Sequence, residues 1–146
     1  MANQHFCRAR AWLCLLLMLS GSAIAAPELK EKPMWMTVGG KRFAITLEDN
    51  EAARAFAKVL PFPLDMTELN ANEKYASLPQ QLPARAVKPG TIRNGDLMLY
   101  GTDTLVIFYQ SFESAYAYTR LGRVDWPDQL AEALGRGNVL VHFSAD

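Results

Sequence analysis

Short stretches in which apolar and polar residues alternate recur along the chain, and this pattern constrains the fold more than any other feature. It is present in residues 41–47, 62–67 and 139–143. Successive side chains of a strand point to opposite faces of a sheet, so this alternation predicts half-buried strands. Residues 104–109 are apolar at nearly every position, which predicts a central strand buried on both faces. Gly39-Gly40 lies between residues 35–38 and the run at 41–47, and it predicts a hairpin.

Only two segments have a helical pattern. The first covers residues 51–60, with Asp49 or Asn50 as its cap and Pro61 after it. The second covers residues 125–135, with Pro127 in its first turn and Gly135 at its end. About seven strands that do not alternate strictly with helices favour a mainly β fold, a closed barrel with two short capping helices, over a parallel α/β sheet.

Two further segments are interpreted from their composition. Residues 70–89 contain three prolines and no clear period, which predicts a long irregular loop. Long loops inside compact domains are usually functional or mobile. Residues 116–121 alternate again, which predicts a strand with Tyr116, Tyr118 and Arg120 on one face.

The first residues have the order of a secretory signal peptide. Arg8 and Arg10 precede an apolar run at residues 11–19, and small residues follow up to Ala26. The apolar run is shorter than the about 20 residues that a membrane-spanning helix needs. We therefore expect a cleaved signal peptide at 1–25, a flexible lead-in at 26–33, and one domain at 34–146. Export to the periplasm or secretion follows, without a permanent membrane anchor.

Cleavage of the signal peptide changes the net charge of the chain and removes both of its cysteines. Removal of Arg8 and Arg10 leaves 13 basic against 15 acidic residues, a formal charge of −2, which argues against nucleic-acid binding. Both cysteines, Cys7 and Cys14, lie in the leader, and His142 is the one histidine after it. Disulfides, cysteine nucleophiles and Cys/His zinc sites are excluded by this count. We expect no metal and no cofactor, and we expect His142 to face solvent or cap a barrel end.

Four motifs occur in an order that resembles a known fold family. They are DNEAA at 49–53, NEKY at 72–75, GDLMLYG at 95–101 and YTRLG at 118–122. The chain resembles the small bacterial and archaeal proteins of the cyclophilin-like family, over nearly all of the mature sequence. The resemblance implies a barrel with a groove that receives peptides.

The same resemblance bears on catalysis. True cyclophilins carry an arginine that polarises the prolyl carbonyl, within a Phe-x-Arg pattern, and a Ser-Gln-Phe-Phe strand. The corresponding stretch here, residues 64–75, contains no arginine, and residues 104–107 read TLVI. No catalytic residue can be carried across from that family.

Two groups of residues are candidates for a site. The polar stretch at 68–75 is either a structural loop network or the border of the groove. The tyrosines at 100, 109, 116 and 118, with Arg120, are either barrel wall or a surface for a peptide or a carboxylate-bearing ligand. From these groups we predict a ligand-binding set of Glu73, Tyr75, Tyr118 and Arg120.

Three functions remain open at this point. The first is a monomeric exported module that binds an unidentified peptide or small molecule, which we favour. The second is a peptidyl-prolyl isomerase of low activity. The third is an accessory protein that binds a partner protein.

Overall fold

A computed structural model of the protein describes residues 33–145, which form a closed antiparallel barrel. The predicted signal peptide and residues 26–32 of the lead-in lie outside the described residues. The elements, in chain order, are β1 (Met34–Val38), β2 (Lys41–Leu47), α1 (Glu51–Lys58), β3 (Phe62–Leu69), β4 (Glu73–Ser77), β5 (Gly90–Ile92), β6 (Asp96–Tyr100), β7 (Thr104–Phe108), β8 (Phe112–Ser114), β9 (Thr119–Val124), a 3₁₀ turn (Pro127–Gln129), α2 (Leu130–Leu134) and β10 (Val139–Ala145).

Eight of these strands close the barrel in the order β1-β10-β3-β4-β7-β6-β9-β2, with β2 returning to β1. The remaining strands, β5 and β8, pair with each other as a separate two-stranded ribbon. The sequence prediction of a mainly β, closed barrel with two short helices is therefore confirmed. Closure leaves the barrel strands without open edges, which removes a common cause of aggregation.

Local sequence explains the first hairpin and the first helix. Gly39 and Gly40 both have positive φ, 55° and 77°, which the tight turn between β1 and β2 requires and which glycine adopts at little cost. Asn50 caps α1, because its side-chain oxygen accepts a hydrogen bond of 2.8 Å from the Ala53 amide. The Asn50 side-chain amide also donates to the Arg120 carbonyl at 2.8 Å, so the same residue fixes the helix against β9.

The strand β7 is buried on both faces, as the sequence predicts. Leu105 and Ile107 belong to the main core together with the inward side chains of the other barrel strands. Val106 and Phe108 belong to a second apolar cluster on the outside of the barrel, which the ribbon and Tyr118 help to cover. The barrel therefore has an outer apolar layer over β4, β6 and β7, and this layer positions the candidate site.

The prediction of an irregular loop over residues 70–89 is wrong for its first part. Residues 73–77 form β4, which pairs with β3 on one side and β7 on the other. Alternation fails to show this strand because the consecutive polar residues Glu73 and Lys74 are both buried. The irregular chain begins only after β4, and within it Val87 makes an isolated bridge to Tyr118.

The strand predicted over residues 116–121 begins and ends three residues later than expected. β9 begins at Thr119, and Tyr116 lies in the preceding connection with most of its surface exposed. Tyr118 is held by the bridge to Val87, whose backbone exchanges two hydrogen bonds with it. The alternation therefore reflects a bridge and a strand rather than one continuous strand.

Candidate functional site

A cavity of about 540 Å³ lies between the outer side of the barrel and the segment that follows β7. Ligand pockets commonly fall within about 300–1,000 Å³, so it can hold a small ligand. We call it the tyrosine cavity; its lining includes Asn72, Glu73, Tyr75, Tyr100, Val106, Phe112, Ser114, Ala115, Tyr116 and Tyr118.

The pairing of β4 and β6 with β7 determines which side chains form the floor of this cavity. In the pairing of β4 with β7, Glu73 lies opposite Phe108 and Tyr75 lies opposite Val106. In the pairing of β6 with β7, Tyr100 lies opposite Thr104. Alternate residues of a strand share one face, so the same alternation that buries Leu105 and Ile107 in the barrel turns these side chains outward.

Aromatic rings form the walls. The Tyr100 ring lies 5.7 Å from the Tyr118 ring and 6.4 Å from the Tyr116 ring, centroid to centroid. The Tyr100 and Tyr116 planes stand at 88°, an edge-to-face arrangement that aromatic pairs prefer. Tyr118 is buried and packs edge-to-face on Phe108, so the outer apolar layer holds this wall in place.

Glu73 is the buried acid of the cavity. Its residue surface is only 8% exposed, and within residues 33–145 no hydrogen bond or ion pair joins its side chain to another group. Burial raises the pKa of its carboxyl, and the negative charge of Glu68 raises it further. A buried carboxylate without a partner is costly, so a donor supplied from outside would stabilise it.

Two other polar groups border the cavity. The Asn72 Oδ1 atom is buried and accepts no hydrogen bond from any described residue. Burial raises the pKa of the Tyr118 hydroxyl, as does the nearby Glu73 charge, while a hydrogen bond with Ser114 acts in the opposite direction. The cavity thus combines apolar walls with one buried acceptor, Asn72 Oδ1, that no described residue satisfies, and with the acid Glu73.

The structure brings three of the four predicted site residues together. Glu73, Tyr75 and Tyr118 all line the tyrosine cavity. Arg120 instead lines a separate hollow beside the start of α1, and its Nη1 lies 3.5 Å from Asp96 Oδ2. This contact joins β9 to its neighbour β6, so Arg120 pairs with an acid across the sheet and does not line the cavity.

Sequence reasoning missed the contribution of β8. Phe112 and Ser114 line the cavity because β8 pairs with β5 and passes beside the barrel. Both strands contain three residues, too few for a period to be visible. Tyr100 and Tyr116 belong to the candidate aromatic group of the sequence, but only the fold shows that they line the same cavity as Glu73.

The rest of the polar stretch forms a structural network at one end of the barrel. Lys74 is fully buried, and its Nζ donates to Glu68 Oε2 at 2.5 Å and to the carbonyls of Gly135 and Gly137 at 2.7 and 2.6 Å. The Tyr109 hydroxyl donates to Glu68 at 2.8 Å. The ammonium has three donors and three acceptors, so this part of the stretch is satisfied from within the protein.

The same network shifts the titration of its members. Burial raises the pKa of Glu68, but the hydrogen bonds from Lys74 and Tyr109 outweigh it, and the pKa is lowered overall. Burial and the hydrogen bond to Glu68 raise the pKa of Tyr109 to about 12. Glu68 is therefore held as an anion against a buried cation.

Three further observations on residues 33–145 concern metal ligands, the histidine and membrane-spanning helices. Residues 33–145 contain no group of three His, Cys, Asp or Glu side chains placed to hold a metal ion. His142 is exposed on β10, opposite Thr37, as predicted. No helix within these residues is both long and apolar enough to cross a bilayer.

Comparisons with known proteins agree with the fold. The sequence model of a family described as the Cyclophilin-like family matches residues 36–144. The solution structure of a hypothetical protein from Archaeoglobus fulgidus is similar, with a TM-score of 0.54 and 16% identity, over 80% of this chain and 95% of that chain. At this identity the likeness concerns the fold alone. No curated protein matches the chain significantly.

Proposed function

Because the chain belongs to the cyclophilin-like family, we propose that it is an exported binding module whose barrel receives a peptide or a small molecule in the tyrosine cavity. The observation that carries the proposal is the cavity itself, which is largely apolar and has on its floor a buried acid that no described residue pairs with. Binding sites typically combine mainly apolar walls with a few placed polar groups. Export is supported by the leader at residues 1–25.

The lining supports binding rather than isomerisation. None of the described residues that line the cavity is an arginine, lysine or histidine. Rotation about a prolyl bond has a barrier of about 18–20 kcal/mol, and a donor aimed at the carbonyl is what would lower it. The arginine that serves true cyclophilins has no counterpart in the lining, so the weak isomerase is the less supported alternative.

The proposal can be tested with two neutral probes, N-acetylphenylalaninamide for a peptide and 2-phenylethanol for a small molecule. We expect either probe, at millimolar concentration, to shift the backbone amide resonances of Glu73, Tyr75 and Ser114 in the mature protein. These amides belong to β4 and β8, on two sides of the cavity.

Two variants give the experiment its controls. Ala115 is exposed and lines the cavity, so Ala115→Trp should fill the space without disturbing the core, and the shifts should disappear. Arg120→Ala alters the separate hollow and should leave them unchanged. If neither probe shifts these amides, or if Ala115→Trp leaves the shifts intact, the cavity is not the binding site.

A further inference from the structure

We infer that the tyrosine cavity is built for a primary ammonium group carried on an apolar stem, so that the ligand is an organic cation rather than an acid. This inference rests on the proposed function, because it names the class of ligand for the same cavity. It follows from three properties of the lining: the sign of its charges, the faces of its rings, and its unpartnered acceptors.

The charges at the cavity are all negative. Glu73 lies buried on the floor, and Glu113 lies exposed among the lining residues, while no lysine, arginine or histidine of the described chain takes part. Glu68, whose charge raises the pKa of Glu73, lies outside the lining and is paired with Lys74. A carboxylate-bearing ligand would meet repulsion here, whereas a cation would gain the partner that Glu73 lacks.

The rings favour the same sign of charge. Tyr100 and Tyr116 stand at 88° to each other, and Tyr118 lies at 55° to Tyr100. The face of an aromatic ring is electronegative, and these three rings border one cavity, so a cation inside it can gain by lying over a ring face. Cages of this kind are a known way in which proteins recognise ammonium groups.

The hydrogen-bond acceptors of the cavity favour a primary ammonium group over a quaternary one. The buried Asn72 Oδ1 atom accepts no hydrogen bond from any described residue, and none of residues 33–145 forms an ion pair with the Glu73 carboxyl. A primary ammonium has three N–H donors, so it can satisfy both acceptors and still face a ring. A quaternary ammonium has none and would leave them unpaired. Apolar lining from Val106 and Phe112 suits a hydrocarbon stem.

The test compares pairs of probes that differ in charge. The first pair is 2-phenylethylammonium and 2-phenylethanol, and the second is phenylalaninamide, with a free amine, and N-acetylphenylalaninamide. We expect the charged member of at least one pair to bind the mature protein about tenfold more tightly, as a charge-assisted hydrogen bond implies. A preference only in the first pair indicates a free amine, and a preference in the second indicates the amino terminus of a peptide.

Glu73→Gln removes the charge and nearly keeps the shape. It should abolish the preference for the charged probe and leave the affinity of the neutral probe unchanged. Glu132→Gln is the matched control, because it removes one exposed carboxylate that pairs with Lys41, outside the cavity. This control should keep the preference. Tyr100→Leu should weaken the charged probe by about two- to fivefold relative to the neutral one.

The possible outcomes separate this inference from the proposed function. If charged and neutral probes bind equally well, or if Glu73→Gln and Tyr100→Leu both keep the preference, the ammonium inference is wrong. The binding cavity still stands in that case, provided that Ala115→Trp blocks the probes. If no probe of any charge binds, or if Ala115→Trp does not block binding, both the inference and the proposed function fail.

Discussion

At the scale of single residues, two neighbouring positions in β4 have opposite roles. Glu73 faces the tyrosine cavity and has no ion-pair or hydrogen-bond partner among residues 33–145, whereas Lys74 points into the barrel and has three. The sequence identifies this stretch as polar and leaves a structural network and a ligand site as alternatives. The structure shows the network at Lys74 and a cavity at Glu73, because alternate residues of one strand face opposite sides of the barrel wall.

Glu68→Gln tests the role of the buried cation. The change removes the carboxylate from a fully buried ammonium, and breaking a buried ion pair from one side is strongly destabilising. Because the glutamine oxygen can still accept one hydrogen bond, we expect a loss of about 3 kcal/mol in the free energy of unfolding, measured by urea denaturation at neutral pH. Glu132→Gln, at an exposed pair, should change it by less than about 0.5 kcal/mol. Equal losses in the two variants would contradict this role.

Glu68 and Glu73 predict opposite dependences of the free energy of unfolding on pH. The pKa of Glu68 is lowered from 4.5 in the folded state, so its stabilising contribution is present above that value and is lost as the pH falls through the folded pKa. The pKa of Glu73 is raised from 4.5, so its contribution is present below that value and is lost as the pH rises through the folded pKa.

The two effects are measured as the free energy of unfolding of Glu68→Gln and of Glu73→Gln, each relative to the wild type, at pH values below and above 4.5. The difference in stability between the wild type and Glu68→Gln should shrink as the pH falls below 4.5. Glu73→Gln should become more stable relative to the wild type as the pH rises above 4.5. A Glu73→Gln variant whose relative stability does not change with pH would show that the carboxyl is not buried as described.

At the scale of elements, β9 depends on one close approach of two backbones. Gly122 pairs with Leu47 in β2 and with Leu97 in β6. A Cβ atom at this position would lie 2.5 Å from the Thr46 carbonyl oxygen and 3.1 Å from the Leu47 Cα. Because both contacts are to backbone, neither can be relieved by a side-chain rotation, and the seam between β2 and β9 would have to open.

Gly122→Ala should therefore destabilise the barrel by about 3 kcal/mol, the upper part of the range for overpacked sites. Gly137→Ala is the matched control, since a Cβ there meets nothing within 4 Å and its carbonyl bond to Lys74 is kept. Thermal unfolding followed by circular dichroism compares the two. Similar melting temperatures for both variants would mean that the seam is more tolerant than its geometry indicates.

Elements also show how far sequence reasoning reaches. Both helices and the first hairpin follow from caps, glycines and periodicity, and the structure confirms them near the predicted positions. The sequence pattern does not reveal β4, because Glu73 and Lys74 are polar yet buried and consecutive polar residues are typical of a loop. β5 and β8 are too short to show a period, and long-range pairing alone defines them.

At the scale of the whole molecule, the barrel has two apolar layers that share a wall. Leu105 and Ile107 fill the inside, while Val106 and Phe108 anchor the layer outside. The sequence predicts a barrel from alternation and from the resemblance, and it predicts that β7 is buried on both faces. It cannot predict what covers the outer face, because that depends on contacts between residues far apart in the chain.

The composition of the whole chain also bears on where it acts. Both cysteines, Cys7 and Cys14, lie within the predicted leader, so a product that begins at Ala26 has no thiol to oxidise. Such a chain suits an oxidising compartment. We propose that the full-length chain is exported and cleaved after Ala25, because Arg8 and Arg10 precede an apolar run and small residues occupy positions 23 and 25.

Expression of the full-length chain in a bacterial host with a periplasm tests this proposal. We expect the periplasmic fraction to contain a product whose intact mass and amino-terminal sequence place its first residue at Ala26. Ala25→Lys puts a long charged side chain where the peptidase accepts small ones, so it should leave the leader attached. Because the apolar run is too short to span a bilayer as a stable helix, no persistent membrane anchor is expected. A cytoplasmic product that retains residues 1–25 would contradict export.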